Sequence, residues 1–348
     1  MSKFIKSLTD APLSLCEGSE SFLQSDFWGD FKASFSWMPF SFRVVWESGE
    51  EKALLVLYRP LAPGMGFAYV PWGPELPGEF PADDAARTEA LLETAEALRT
   101  FLPRNTAFVR FDPAWFNGEN ESAPLILKPL TRAAADIQPP DTVLIDLSLS
   151  HDQILAGMKP KWRYNIRLGG KKTRAFRADA DGLDVFYDLF TETARRDRIS
   201  IHGISYYKRL FETAAAKTGM ELRLYLAESE HKPLAALVTL FRGNTATYLY
   251  GASSGEKRNL MGSYALQWHA MRDAKDAGCT VYDLFGIPPD ASPGHPMAGL
   301  YLFKTGFGGR IIHRPGSWDY AYSCFGAGLF FLAEKTRKML RDARKRRN

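Results

Sequence analysis

Near the middle of its 348 residues the chain carries a Gln138-Pro139-Pro140 break, and the stretch after it follows the same plan as the stretch before. Proline cannot donate a ladder hydrogen bond and holds the preceding residue extended, so consecutive prolines between apolar runs mark a linker. Before the break, residues 53–58 (ALLVLY), 67–70 (FAYV) and 107–111 (AFVRF) are short apolar runs that predict buried strands. Between the last two, residues 83–101 predict a helix, with Asp83 or Asp84 as cap, Leu91, Leu92, Ala95 and Leu98 on one face, and Pro103 as stop. After the break, residues 142–147 predict a strand, and 151–171 and 182–196 predict helices. Three successive antiparallel strands are expected at 222–227, 234–241 and 245–250. A helix at 263–277 capped by Ser263, a buried strand at 280–285 and a Pro/Gly-rich loop at 286–299 complete the half. A chain of this length is too long for one ordinary core, so the expectation is two mixed α/β domains in tandem.

Composition narrows the setting. A hydrophobic fraction of 45% with 24% charged residues suits a soluble globular protein and exceeds what a disordered chain carries. The first fifteen residues contain no long apolar run, which points to a cytoplasmic protein. Cys16, Cys279 and Cys324 are odd in number and far apart, which excludes a disulfide framework and a thiolate zinc cage. The six histidines show no ligand spacing, so neither a metal nor a cofactor is expected. The apolar stretch 321–333 is 13 residues long. A bilayer span needs about 20, so this stretch predicts a helix packed on the body.

The net charge of +4 is unevenly spread. Residues 334–348 hold eight Lys/Arg and two acids, and residues 159–177 hold eight Lys/Arg and no acid. Two cationic patches on a nearly neutral body suit polyanionic partners such as RNA, anionic lipid or diphosphate; solvated helix faces are the alternative. Gly251-Ala252-Ser253-Ser254-Gly255 fits the nucleophile elbow of serine hydrolases, and Asp283 and His295 follow in the expected order. An elbow needs a strand that runs at once into a helix. Here the chain continues past Asn259 before a helix begins, which argues against hydrolase chemistry.

An ordered set of motifs carries a family resemblance. It comprises Tyr248-Leu249-Tyr250-Gly251-Ala252-Ser253, Tyr264-Ala265-Leu266-Gln267-Trp268, Tyr282-Asp283-Leu284-Phe285-Gly286-Ile287 and the Gly299-to-Gly309 segment containing Phe303-Lys304. The first half adds Gln24-Ser25-x-x-Trp28-Gly29-x-x-Lys32, Ala68-Tyr69-Val70-x-x-Gly73-Pro74 and Val109-Arg110-Phe111-Asp112-Pro113. Together they resemble the Fem family, whose members add amino acids to the stem peptide of peptidoglycan precursors. With no long coiled-coil insertion, the chain is most similar to the compact FemX type. The resemblance implies two GNAT-like domains, 1–145 plus 317–348 for the acceptor and 146–316 for catalysis. It implies a monomer that uses aminoacyl-tRNA as donor and UDP-MurNAc-pentapeptide or lipid II as acceptor. A GNAT-type N-acyltransferase acting on another polymer or small amine is the alternative. Residues 259–264, where acyl-CoA enzymes hold pyrophosphate on a glycine-rich turn, keep only Gly262 and end in Tyr264, which disfavours a CoA donor.

Site residues follow from the same resemblance. Phe303 and Lys304 match the catalytic pair, with Lys304 as the positive donor for an oxyanion. Lys32 matches a phosphate-binding lysine, and Tyr206 and Tyr250 match tyrosines that contact the acceptor. His202 stands where a partner arginine is expected, a departure that weakens the grip on phosphate at neutral pH. For Asp112 two readings stay open, a base for the attacking amine or a cap for the turn at Pro113. Arg163, Arg167, Lys171 and Lys172 predict a basic helical track for tRNA, with Trp162 and Tyr164 placed to stack on unpaired bases. The tail at 334–348 predicts peripheral contact with anionic lipid at the inner face of the membrane, or a further hold on tRNA.

Overall fold

A computed structural model describes residues 3–118, 121–179, 181–290, 292 and 297–347. The chain forms two compact units, residues 1–140 with 313–348, and residues 141–312. Each is built around a seven-stranded mixed sheet.

In the first unit the elements run β1 (Ile5–Asp10), α1 (Asp26–Ala33), β2 (Met38–Trp46), β3 (Glu51–Ala62), β4 (Met65–Pro71), α2 (Asp84–Leu98), β5 (Thr106–Asp112) and β6 (Thr131–Arg132). In the second they run β7 (Asp141–Asp146), α3 (His151–Gly157), α4 (Pro160–Lys172), β8 (Arg174–Ala178), α5 (Gly182–Asp197), α6 (Ile204–Ala215), β9 (Met220–Ser229), β10 (Lys232–Arg242), β11 (Thr245–Ser253), α7 (Gly262–Asp276), β12 (Val281–Asp283), α8 (Ala298–Thr305) and β13 (Arg310–His313). The chain then returns to the first unit with β14 (Trp318–Ala321) and α9 (Cys324–Arg347).

The strand orders are β1-β2-β3-β4-β5-β14-β6 and β13-β7-β12-β11-β10-β9-β8. One topology recurs in both units. A three-strand antiparallel meander (β2-β3-β4, β9-β10-β11) is followed by a helix (α2, α7) and a strand parallel to the last of the three. Parallel neighbours need a crossover of a dozen or more residues, and each helix supplies it. This is the expected α/β class with two GNAT-like domains. In the first core Ala90, Leu91, Ala95 and Leu98 of α2 pack on Val56, Ala68, Val70 and Val109. In the second, Leu266, Ala270, Met271 and Ala274 of α7 cover Tyr225, Leu237 and Ala246.

The helix expected over 151–171 is instead two. Met158 and Lys159 are extended (ψ 153° and 143°), and Pro160 opens α4. Proline excludes helical backbone at the residue before it, and its missing N–H costs nothing in a first turn. The cap of α7 also differs. Met261, in the left-handed region (φ 58°), precedes Gly262, and Ser263 lies inside the helix. Among the described residues no helix is long and apolar enough to cross a membrane. The stretch read as a packed helix belongs to α9, where Phe330 and Phe331 meet Phe108 with ring centroids 5.0 and 5.3 Å apart. Cys16 and Cys279 are buried thiols, Cys16 lying 3.3 Å from the Ser41 hydroxyl. The side chain of Cys324 and those of the tail from residue 340 onward lie outside the described residues.

Candidate functional site

In the second unit the sharpest feature is a buried lysine. Lys304 occupies the last turn of α8 with 6% of its surface exposed. Its Nζ donates to the carbonyl oxygens of Phe285 and of Gly286, the latter at 3.0 Å, and stands 5.0 Å from the Tyr248 ring centroid. Phe285 and Gly286 both adopt the left-handed region (φ 47° and 45°), so the turn after β12 brings two successive carbonyls to one ammonium. A bulky residue at positive φ is a strained choice that packing must over-determine. Asp283 helps to hold it, accepting from the Phe285 N–H at 2.8 Å and from the Thr142 hydroxyl. Burial pushes the Lys304 amine down to about 7, against the opposing pull of Asp283. In the sequence Asp283 stands out as a hydrolase candidate and as part of the Tyr282-to-Ile287 motif, neither of which signals this role.

Phe303 packs edge-on against Tyr264 (5.2 Å) and Phe307 (5.1 Å). Its carbonyl accepts from the Trp162 indole N–H at 2.9 Å. Trp162 lies so close over Gly306 that a Cβ there would fall 2.1 Å from the ring, which explains the glycine after the lysine in the motif. The indole is therefore committed to α8 and to Tyr264 (5.6 Å), which corrects the expectation that it stacks on a nucleic-acid base. Tyr164, 62% exposed, remains on the solvent side of α4 with Arg167, Lys171 and Lys172. Arg163 is half-buried, and its guanidinium donates to the Ala156 and Met158 carbonyls at 3.2 and 2.5 Å, closing the end of α3.

Strand β11 connects Lys304 with a second cluster. Tyr248 underlies the lysine, and a Cβ at Gly251 would meet the Tyr248 hydroxyl at 1.6 Å, so only glycine admits that ring. Two residues beyond Tyr248, the Tyr250 hydroxyl donates to that of Tyr206. Burial raises both phenols, Tyr206 to about 12, so both stay protonated at neutral pH. The exposed His202 imidazole stacks on the Tyr206 ring at 3.9 Å and 12°. The structure thus gathers His202, Tyr206 and Tyr250 into one cluster.

The hydrolase pattern fails geometrically. After Ser253 the chain takes eight residues, including a single turn at Arg258–Leu260, before α7 begins. The Asp283 carboxylate is occupied as described, and His295 lies outside the described residues. At the start of α7 the Tyr264 ring fills the space toward Trp162, Phe303 and Phe307.

In the first unit, the motif around Lys32 is built from buried polar bonds. Ser25 caps α1 by accepting from the Trp28 N–H, and the fully buried Gln24 amide joins Leu55 of β3 to the Pro71 carbonyl of β4. Lys32 thereby projects from the last turn of α1 among aromatic rings, its Nζ 5.1, 5.9 and 5.8 Å from the centroids of Trp28, Phe31 and Trp37. Burial and the neighbouring Arg59 guanidinium bring it down to about 8. Asp112, 3% exposed at the end of β5, accepts from Tyr69 (2.5 Å), from the Gln138 N–H (3.1 Å) and from the Ser317 hydroxyl. Those bonds reach other elements of the fold, not the turn at Pro113. Burial lifts its carboxyl to about 6, although the three donors pull the other way. Arg59 and Trp37 carried no sequence signal, because they meet Lys32 only once β2 and β3 have paired.

A buried lysine on a short helix of the second α/β unit, with no strand running at once into a helix after Ser253, sets this site apart from the hydrolase pattern. Residues 127–229 and 212–335 match the FemAB family, a span of more than half the chain, and the protein belongs to that family. It is 23% identical over 270 residues to the lipid II:glycine glycyltransferase of Staphylococcus epidermidis and 24% over 273 residues to that of Staphylococcus aureus. Each alignment takes in 60% of this chain and 64% of the relative, so the chain spans less than two thirds of those proteins. The crystal structure of FemX superposes with a TM-score of 0.75 at 18% identity, covering 94% of this chain and all of that one, which establishes the shared fold.

Proposed function

We propose that this protein transfers an aminoacyl group from aminoacyl-tRNA to an amine on the stem peptide of a peptidoglycan precursor. The observation that carries this reading is Lys304, a buried ammonium immobilised by two carbonyls. The acceptor amine attacks the ester carbonyl carbon, a tetrahedral oxyanion forms, the bond to the tRNA oxygen breaks, and an amide remains. The proton lost by the amine leaves on that departing oxygen. An ammonium has three N–H bonds. With two held by Phe285 and Gly286, the third supplies a fixed donor where oxyanion charge develops. The ester is already activated, so orientation does much of the remaining work. In this reading Asp112, enclosed by three donors, is a positioning residue for Tyr69 and the end of β5. The exposed cations of α4 follow the tRNA acceptor end, while Trp162 on the opposite side of that helix grips α8. On α9, exposed Leu329, Leu332 and Met339 beside Lys335 and Arg337 support peripheral contact with an anionic bilayer, since an apolar stripe flanked by cations suits the lipid interface.

The test supplies purified protein with charged tRNAs and with either UDP-linked pentapeptide or lipid II, and follows product by mass. The expected product gains one aminoacyl unit, only with charged tRNA and regardless of acetyl-CoA. Acylation that depends on CoA and ignores tRNA would replace this reading with the N-acyltransferase one. A second measurement concerns α4. Replacing Arg167, Lys171 and Lys172 together with alanine should flatten the salt dependence of tRNA binding by about 2 to 3 in log–log slope, one counterion-release term per lost phosphate contact. An unchanged slope would remove the track from α4.

A further inference from the structure

Strand β11 has two edges, and the second sheet uses one of them only in part. Toward β10 it pairs along its whole length, from Thr245 against Arg242 to Ser253 against Ala235. Toward β12 it pairs only at Thr245, Ala246 and Thr247, because β12 ends at Asp283 and the chain turns through Phe285 and Gly286. At the far end α5 closes the edge. The Ser253 N–H donates to the Thr193 hydroxyl at 2.9 Å, and the Ser253 carbonyl accepts from Thr193 at 3.1 Å and from Arg196 at 2.8 Å. Between the two closures, residues 248–252 have no strand on that side among the described residues. Residues 248–251 are half-buried.

Register determines which groups face this window. Ser254 donates its N–H to the Leu234 carbonyl of β10, and Ser253, one residue earlier, turns the other way to Thr193. Hydrogen-bonding direction alternates along a strand, so Ala252 turns back to β10 and the Gly251 N–H and carbonyl turn into the window. A bulge redirects the side chains. Tyr248 pairs with Thr239 and Tyr250 with Val238, which leaves Leu249 as the extra residue. A regular strand would place both tyrosines on one face, whereas a bulge re-aims them. Tyr248 accordingly underlies the Lys304 ammonium, and Tyr250 meets Phe190 and Tyr207 of the helices on the opposite face. Gly251 shares the Tyr248 face, since the hydroxyl of that ring fills the place of its missing Cβ.

We propose that this window binds an extended peptide, which lies along β11 as an added strand and exchanges backbone hydrogen bonds with Gly251. Resting on the transfer reading above, the occupant is the stem peptide of the acceptor. At about 3.3 Å per residue the window is roughly 16 Å long, which suits a short peptide. Residues abreast on neighbouring strands project to the same face. The peptide residue beside Gly251 therefore sends its side chain toward Lys304, and those before and after it face Tyr250 and Tyr206. One register thus brings a side-chain amine to the buried ammonium. Strand addition draws affinity from the main chain and specificity from alternate side chains. A sugar–phosphate chain has no alternating N–H and C=O to offer such an edge.

The probe is an alanine pentapeptide, acetylated and amidated, with lysine at its centre. At saturation it is expected to slow hydrogen exchange of the Gly251 amide in the full chain by about fivefold or more, the effect of one added bond. The Ala252 amide, already turned to β10, should not change. Single backbone N-methylations along the probe should weaken binding at every second position, by about fivefold for each lost bond. An unprotected Gly251 amide, or N-methylation effects without that alternation, overturns the proposal. Protection by an aminoacylated adenosine and not by the peptide overturns it as well, giving the edge to the donor. No readout here needs turnover. Protection by the peptide alongside failed transfer would sink only the functional reading, and transfer without protection would sink only the strand site.

Discussion

Lys304→Met is expected to lower kcat by about 100- to 1000-fold, roughly 2.7–4 kcal/mol of transition-state stabilisation, with acceptor affinity little changed. Methionine keeps the volume and the contact with Tyr248 but removes every N–H. The loss should therefore fall on the step in which the oxyanion forms, read as kcat in single-turnover transfer. The wild-type pH profile tests the same assignment. With the amine near 7, a role as cationic donor requires the protonated form, so kcat should decline as pH rises through about 7. A base would give the opposite slope, with activity rising over that interval. Folding stability runs against the donor requirement. An unfolded lysine keeps its proton to about 10.4, so between 7 and 10 the unfolded chain binds more protons and stability increases with pH. Activity and stability should thus change in opposite directions across the alkaline range. A Met variant within tenfold of wild type, or activity that climbs through pH 7, would end the oxyanion assignment.

Arg110→Met should destabilise the first unit by about 3–5 kcal/mol, because it strands two carboxylates that the guanidinium now neutralises. Arg110 is 2% exposed and makes paired bonds to Asp319 (2.7 and 2.9 Å) and to Glu334 (2.8 and 3.0 Å). Sheet register dictates the first pair, since Arg110 of β5 lies directly opposite Asp319 of β14. Burial alone would lower the arginine, but the two carboxylates outweigh it and hold the guanidinium above its ordinary range. Hydrogen exchange should show the loss concentrated in β5, β14 and α9, with the second unit's sheet unaffected. Adding Asp319→Asn and Glu334→Gln to Arg110→Met should recover much of it, since no charge is then left unpaired. A shift below about 1 kcal/mol in the single variant would mean that water already reaches the site.

Much of the fold was legible because its signals are local. Asp83 caps α2 as its position suggested, accepting from the Ala86 N–H, and the three antiparallel strands of the second unit appear where alternating apolar runs predict them. Pro160 was equally visible, yet the helical pattern on either side masked the break that it imposes. His202 and Tyr206 share one short segment, whereas Tyr250 joins them from β11 in a separate motif, and the partners that give Lys304 its geometry were not readable. Phe285, Gly286 and Asp283 reach it through a turn whose left-handed residues have no sequence signature beyond one glycine. Arg110 is more extreme, with partners 209 and 224 residues away, and a lone arginine within an apolar strand does not announce them. Trp162 misled for the opposite reason. Interleaving with basic residues made it look like a stacking platform, and only the packing against Gly306 shows which side of the helix it serves.

The position of β14 in the first sheet bears on how the polypeptide matures on the ribosome. That strand pairs between β5 and β6, yet it is made after all of the second unit. During synthesis the first unit must therefore wait with the long apolar edge of β5 uncovered, and such edges invite pairing with other chains. The second unit draws its sheet from one continuous stretch of chain and can close while the first is still incomplete. Order of emergence and order of completion are thus reversed. A free chain truncated just past His313 should show a protease-resistant second unit beside a cleavable first one, and restoring β14 and α9 should be what seals it.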